Sequence, residues 1–161
     1  MTQNAGKDSG AQTGEAMDLG AMTGSLGFLL RLSQLKSFDT FFHEMKGLEI
    51  RPGEISVLML LDRNPGIRQG VLARALMIKR AHMTKMVHAM EGAGLVCRTV
   101  PDADRRSVQL WLTDAGRARL ETVQGPFLAF ENRNTSGLSD ADEAMLKTLL
   151  RRYLGLDRPN A

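Results

Sequence analysis

The residues best equipped for chemistry in this chain are cations grouped in its middle: Lys79, Arg80 and Lys85, then Arg105 and Arg106. A guanidinium presents a planar fork that fits guanine O6 and N7, or two oxygens of one phosphate; an ammonium is a point charge on a flexible stem. Arg80 is therefore the candidate for reading a guanine edge. Lys79 and Lys85 are candidates for holding phosphates, which position a protein on a duplex without reading sequence. At helical spacing Ala81, Thr84, Lys85 and His88 turn away from the apolar set Met83, Met86, Val87 and Met90, with His82 beside Lys79 and Arg80 at the entrance. From Arg63 to Arg106 nine Lys or Arg stand against three acids (Glu91, Asp102, Asp104), a net of +6, while the rest of the chain nets −3. A basic middle between acidic flanks suits contact with a polyanion; a solvated basic face has the same composition.

Other chemistries find less support. No P-loop, Gly-x-Ser-x-Gly, His-Glu-x-x-His or GxGxxG motif is present, and the carboxylates are scattered or sit where helix caps belong. The chain is expected not to be an enzyme and to need no cofactor. His43, His82, His88 and Cys97 have no recognised metal-ligand spacing, so no metal is expected. Cys97, the single cysteine, falls in a strand, where a buried cysteine behaves as a small hydrophobe. One cysteine cannot form an internal disulfide, which points to a reducing cytoplasm. No apolar run reaches the roughly 20 residues of a membrane span, and Met1 to Thr23 lacks the apolar core of a secretion signal.

The 161 residues, 43% hydrophobic and 24% charged, suit about one soluble globular domain. Residues 1–23 are rich in Gly, Ser, Thr and Gln, with little to bury, and read as a disordered tail. Leu26 to Met45 carries a wide apolar stripe at helical spacing, with Gly47 as its stop. Pro52 opens a second helix, nearly continuously apolar from Ile55 to Leu61, which Asn64-Pro65-Gly66 ends. A short helix from about Arg68 to Leu76, with Ile67, Val71, Leu72, Ala75 and Leu76 on one face, precedes the Arg80–Ala93 helix by a three-residue turn: a helix-turn-helix pattern. Gly94 caps the second of these. Leu95 to Val100 and Val108 to Leu112 read as two strands around the charged turn Pro101–Arg106, a wing. Thr113 caps a helix running towards Glu131, which Pro126 is expected to kink or interrupt. Ser139 caps a last helix whose stripe is Met145, Leu146, Leu149, Leu150, Tyr153 and Leu154.

Three segments resemble the MarR family of winged-helix regulators: Arg51-Pro52-Gly53-Glu54-Ile55-Ser56-Val57-Leu58; Leu72-Ala73-Arg74-Ala75-Leu76 through Met90-Glu91-Gly92-Ala93-Gly94-Leu95-Val96; and Asp102-Ala103-Asp104-Arg105-Arg106 followed by Leu110-Trp111-Leu112-Thr113 and Gly116. The resemblance covers about residues 25 to 155. It departs at Lys79, where family members often carry Ser, Asp or Asn, and at Ala81, His82 and Met83, where polar residues are common. It implies a mainly α fold with a small β-hairpin wing, a winged helix-turn-helix flanked by N- and C-terminal dimerisation helices: tail 1–23, dimerisation helix 24–50, DNA-binding lobe 51–113, and 114–157 completing the dimer region.

The resemblance further implies a homodimer on palindromic double-stranded DNA, acting as a repressor. Arg105 or Arg106 would enter the minor groove, with Asp102 or Asp104 paired inside the protein. A small-molecule effector would bind between the dimer helices and the DNA-binding lobe. Leu26-Gly27-Phe28-Leu29-Leu30-Arg31 is similar to a branch that senses aromatic acids or their CoA thioesters, with Phe28, Arg31, Phe38, Phe42, His43 and Trp111 as candidate lining; core packing is the competing role for each aromatic. The alternative to a DNA regulator is a winged-helix module for protein–protein contact.

Overall fold

The computed structural model describes residues 17–101, 107–133 and 136–157. It divides into two compact units, Met1–Lys36 and Ser37–Ala161. In the first, Asp18 accepts the Gly20 N–H at 2.8 Å and starts a short 3-10 helix, Gly20–Gly24. The Ser25 hydroxyl then accepts the Phe28 N–H at the start of α1, Leu26–Glu44. Leu26, Leu29, Leu32 and Leu35 on this helix are exposed.

The second unit holds the remaining elements. The C-terminal end of α1 buries Phe41, whose ring meets Phe127 and Phe130 edge-on at 6.3 and 6.0 Å. A 3-10 turn at Lys46–Leu48 follows, and the left-handed residue that ends it is Glu49 (φ 46), not Gly47. Arg119, distant in sequence, closes this turn by donating to the carbonyls of Leu48 and Glu49. Helix α2, Pro52–Arg63, has proline in its first turn and buries Ile55, Val57, Leu58 and Leu61, so it is the central core helix.

Next come β1 (Ile67–Arg68), α3 (Gln69–Ala75), α4 (Arg80–Gly92), β2 (Val96–Thr99), β3 (Gln109–Leu112), α5 (Asp114–Glu131) and α6 (Asp140–Tyr153). The sheet is antiparallel in the order β1-β3-β2, with Ile67 opposite Leu110 and Cys97 opposite Trp111. The two expected strands are joined by a third, β1, at residues assigned from sequence to a loop and the start of a helix. Two residues carry no period of their own; β1 exists because β3 supplies its partners.

Three further expectations are corrected. Helix α3 buries Leu72 and Ala73, while Val71 and Ala75 are exposed, because the chain before Gln69 is strand and the helix enters in a different phase. Helix α5 runs unbroken through Pro126, with Leu120 and Val123 buried before it and Phe130 after. Cys97 is exposed: Val96 takes the core side of β2, so its neighbour points outward. The last helix is capped as expected, Ser139 Oγ accepting the Asp142 N–H, but buries none of its stripe; Met145, Leu146, Leu149 and Tyr153 are exposed.

Two joints hold the α3–α4–wing order. At the end of α3 the N–H of Ile78 closes on Ala73 O at 2.9 Å and that of Met77 on Arg74 O at 3.1 Å. This is the double closure usually built around glycine, here with Met77 at φ 51. The end of α4 repeats it, Leu95 N–H to Met90 O and Gly94 N–H to Glu91 O, with Gly94 at φ 71. The Thr113 hydroxyl donates to Gly94 O at 2.5 Å and accepts the Gly116 N–H at 3.0 Å, joining the start of α5 to the end of α4.

Candidate nucleic-acid interface

Helix α4 is fixed by burial of Met83, Val87 and Met90. Successive residues turn by about 100° around a helix axis. Ala81, Lys85 and His88 therefore lie opposite the buried stripe. Arg80 and Thr84 lie on the flank towards α3, and His82 and Ala89 on the other. All of these, and Lys79, are exposed. Lys79 occupies the N-cap position without a side-chain capping bond, so its ammonium makes no cap.

The flank towards α3 is tied down. Thr84 Oγ1 donates to Arg80 O at 3.0 Å and accepts from Gln69 Nε2 at 3.1 Å. Thr84 thus spends its hydroxyl within the protein, while Lys85 and His88 face outward. Beside this bond is a notch of about 420 Å³ lined by Arg68, Gln69, Arg74, Arg80, Thr84 and Ser107, among others. Arg68 and Arg74 were counted in the basic stretch but not singled out by sequence reasoning. The signal that finds them is tertiary: β1 brings Arg68 to β3, opposite Gln109.

Not every cation of the basic stretch is available. Arg98 on β2 forms an ion pair with Glu91 on α4. The hydrogen bond from Arg98 holds the Glu91 carboxyl below the ordinary range, and the same bond raises Arg98. Lys79, Arg80, Lys85, Arg68 and Arg74 form no ion pair among the described residues. Arg105 and Arg106, with Asp102 and Asp104, lie outside the described residues.

The candidate effector residues are not all in one place. Phe38 and Phe42 meet edge-on at 6.5 Å and both are exposed, as is His43. Phe42 lines a cleft of about 610 Å³ with Met45, Lys46, Glu49, Ile50, Arg51, Glu54 and Ala89. Trp111 is on β3, its indole N–H donating to Thr99 Oγ1 at 2.9 Å and its ring packed over Gly66. Phe28, half-buried, and Arg31, exposed, belong to the first unit. Among the described residues no cluster of His, Cys, Asp and Glu is fit to hold a metal, and no helix is long and apolar enough to cross a membrane.

A helix-turn-helix followed by a small antiparallel sheet, with a cationic second helix, defines a winged-helix regulator. The family model described as MarR family matches residues 50–108. A protein of Thauera aromatica described as a transcriptional regulatory protein for the hcr operon is 31% identical over 158 residues, 98% of this chain and 95% of that one. The transcriptional repressor CouR, solved bound to a 23-mer DNA duplex, superposes with a TM-score of 0.77 at 35% identity, covering 87% of this chain and 99% of that chain. CouR bound to p-coumaroyl-CoA superposes with a TM-score of 0.73 at 36% identity, covering 86% and 98%. The chain belongs to the MarR family and is a transcriptional regulator of that type.

Proposed function

We propose that this protein is a homodimeric repressor of palindromic operators, released from double-stranded DNA by a small-molecule effector of the aromatic acid or aromatic acyl-CoA class. The observation that carries the DNA reading is the exposed, cationic outer side of α4, whose Lys79, Arg80 and Lys85 form no ion pair among the described residues, on a fold shared with a repressor bound to duplex DNA. In this reading α4 enters the major groove. Lys79, Arg80, Ala81, His82, Thr84, Lys85 and His88 form the contact surface, and Arg105 and Arg106 are the wing contacts. The exposed apolar faces of α1 and α6 form the dimer seam. A two-fold axis then sets two recognition helices about 34 Å apart, one turn of DNA. Residues 24–50 and 114–157 are the dimerisation segments, and 51–113 the DNA-binding lobe.

The Phe42 cleft supports the effector reading. It joins an aromatic ring and apolar wall to the cations Lys46 and Arg51, with Glu49 and Glu54 also in its lining, which suits an aromatic group carrying polar and anionic substituents. Its wall includes Ala89 of α4, so a ligand seated there touches the recognition helix itself. A ligand that prefers one helix spacing must shift the DNA-binding equilibrium by its differential affinity for the two states. CouR's own ligand, p-coumaroyl-CoA, is the first compound to try.

The test is selection of bound sequences from random duplex DNA, followed by affinity measurement over a salt series, with and without p-coumaroyl-CoA. The expected result is an enriched palindrome, a log–log salt slope near −0.9 per phosphate neutralised, and release by the thioester. No enriched sequence and a flat salt response would remove the DNA reading; binding untouched by any aromatic acid or thioester would remove the effector reading alone.

A further inference from the structure

We infer that Arg68, Arg74 and Arg80 together form a clamp for one backbone phosphodiester of the bound duplex, so that Arg80 positions α4 instead of reading a base. This rests on the DNA reading above and adds the clamp and its ligand.

The three arginines come from three elements, the β1 strand, the last turn of α3 and the first residue of α4, yet line one notch of about 420 Å³. Among the described residues no carboxylate lines it, and none of the three arginines has an ion-pair partner. Three cationic residues around one concavity make it a place where an anion is attracted. A phosphodiester suits the site: one negative charge and two unesterified oxygens match the guanidinium fork.

The frame around the notch is rigid. Arg68 is held on β1 opposite Gln109, and the Gln69 N–H donates to Val108 O at 2.9 Å. Gln69 Nε2 to Thr84 Oγ1 and Thr84 Oγ1 to Arg80 O then lock β1–α3 against the first two turns of α4. A phosphate in the notch therefore sets the rotation of α4 about its own axis. With Arg80 and Thr84 on the clamped flank, Ala81, Lys85 and His88 are the residues turned to the base edges.

The experiment compares the full chain with Arg68→Gln, Arg74→Gln and the double variant, all checked for unchanged melting temperature. Affinity for the selected operator is measured across salt, as is the ratio of operator to base-substituted operator. The double variant should bind about 10-fold more weakly, its log–log salt slope shallower by about 0.9, with the sequence ratio unchanged. One methylphosphonate placed at the clamped position of the duplex should weaken wild type more than the double variant, which keeps only Arg80 at that phosphate. Unchanged slope and affinity in the double variant, while wild type binds in a salt-dependent way, overturns the clamp and leaves the DNA reading standing. A wild type without salt-dependent binding overturns both. If coenzyme A displaces DNA from wild type but not from the double variant, the notch holds an effector phosphate and the duplex assignment is overturned.

Discussion

Gly116 lies so close to Leu95 that a β-carbon added to it would stand 2.0 Å from the Leu95 carbonyl oxygen. That oxygen is already engaged, accepting the Thr113 N–H at 3.1 Å. Backbone of α5 thus rests directly on the segment between α4 and β2. Gly116→Ala cannot be absorbed by a side-chain shift, since the clash is with main chain. We expect a loss of roughly 1–3 kcal/mol, the usual range for overpacking, read as a lower urea midpoint at constant slope. A midpoint equal to wild type would show that this junction gives way freely.

The joint between α3 and α4 and the joint between α4 and β2 use the same double closure, with Met77 at the first and Gly94 at the second. A left-handed conformation costs an ordinary L-residue about 1–2 kcal/mol, and Met77 is exposed, so no packing offsets it. Met77→Gly is therefore expected to raise stability, by about 1 kcal/mol at most. Denaturation curves of the two proteins check this; a less stable variant would mean that Met77 contributes contacts in the folded state.

The Glu91–Arg98 pair links α4 to β2 and sets an acid limb. Hydrogen bonding to Arg98 lowers the Glu91 carboxyl in the folded state, so the unfolded state takes up protons first as pH falls. The stabilisation is full above the ordinary carboxylate range and is lost as pH drops through the lowered folded value. Glu91→Gln should be less stable than wild type at neutral pH, with the gap closing below about pH 4. Melting temperatures from pH 7 down to 3 test it; a gap that widens with acid contradicts the sign.

For the wing, Arg105→Ala is expected to weaken operator binding without changing the mass of the protein in solution. The minor groove carries a strong negative potential where it narrows, and a neutral side chain forfeits it. Gel shift and light scattering on the same sample decide; an unchanged shift removes Arg105 from the interface.

For the proposed dimer seam, Leu149→Asp places a charge in the exposed stripe of α6. Burying an unpaired carboxylate opposes association, while the monomer loses no buried contact. Light scattering should report a monomer of normal helicity that no longer shifts operator DNA. A dimer of unchanged mass would place the seam elsewhere.

Much of this architecture was legible because it rests on local rules. Thr113 and Ser139 accept N–H groups as caps, and Pro52 opens α2. The i, i+3, i+4 spacing gave the α4 core face. What escaped depends on partners distant in sequence. Strand β1 is visible only once β3 lies beside it, and with it came Arg68. Glu49 and Met77 adopt left-handed conformations with no glycine to signal them. The alternation around Cys97 was clear, but which side faced the core depended on Val96, Leu110 and Leu112 packing with the helices. Thr84 looked outward by spacing, and only the arrival of Gln69 from α3 shows its hydroxyl to be engaged.

The exposure of Cys97 opposite Trp111 has a practical consequence. The chain holds one cysteine and one tryptophan, and the two sit as cross-strand partners at the base of the wing. A thiol-reactive contact quencher on Cys97 therefore sits against the indole, and recovery of Trp111 emission is a built-in optical sign of the strands parting. It can follow wing movement as DNA or effector is titrated, in the native sequence.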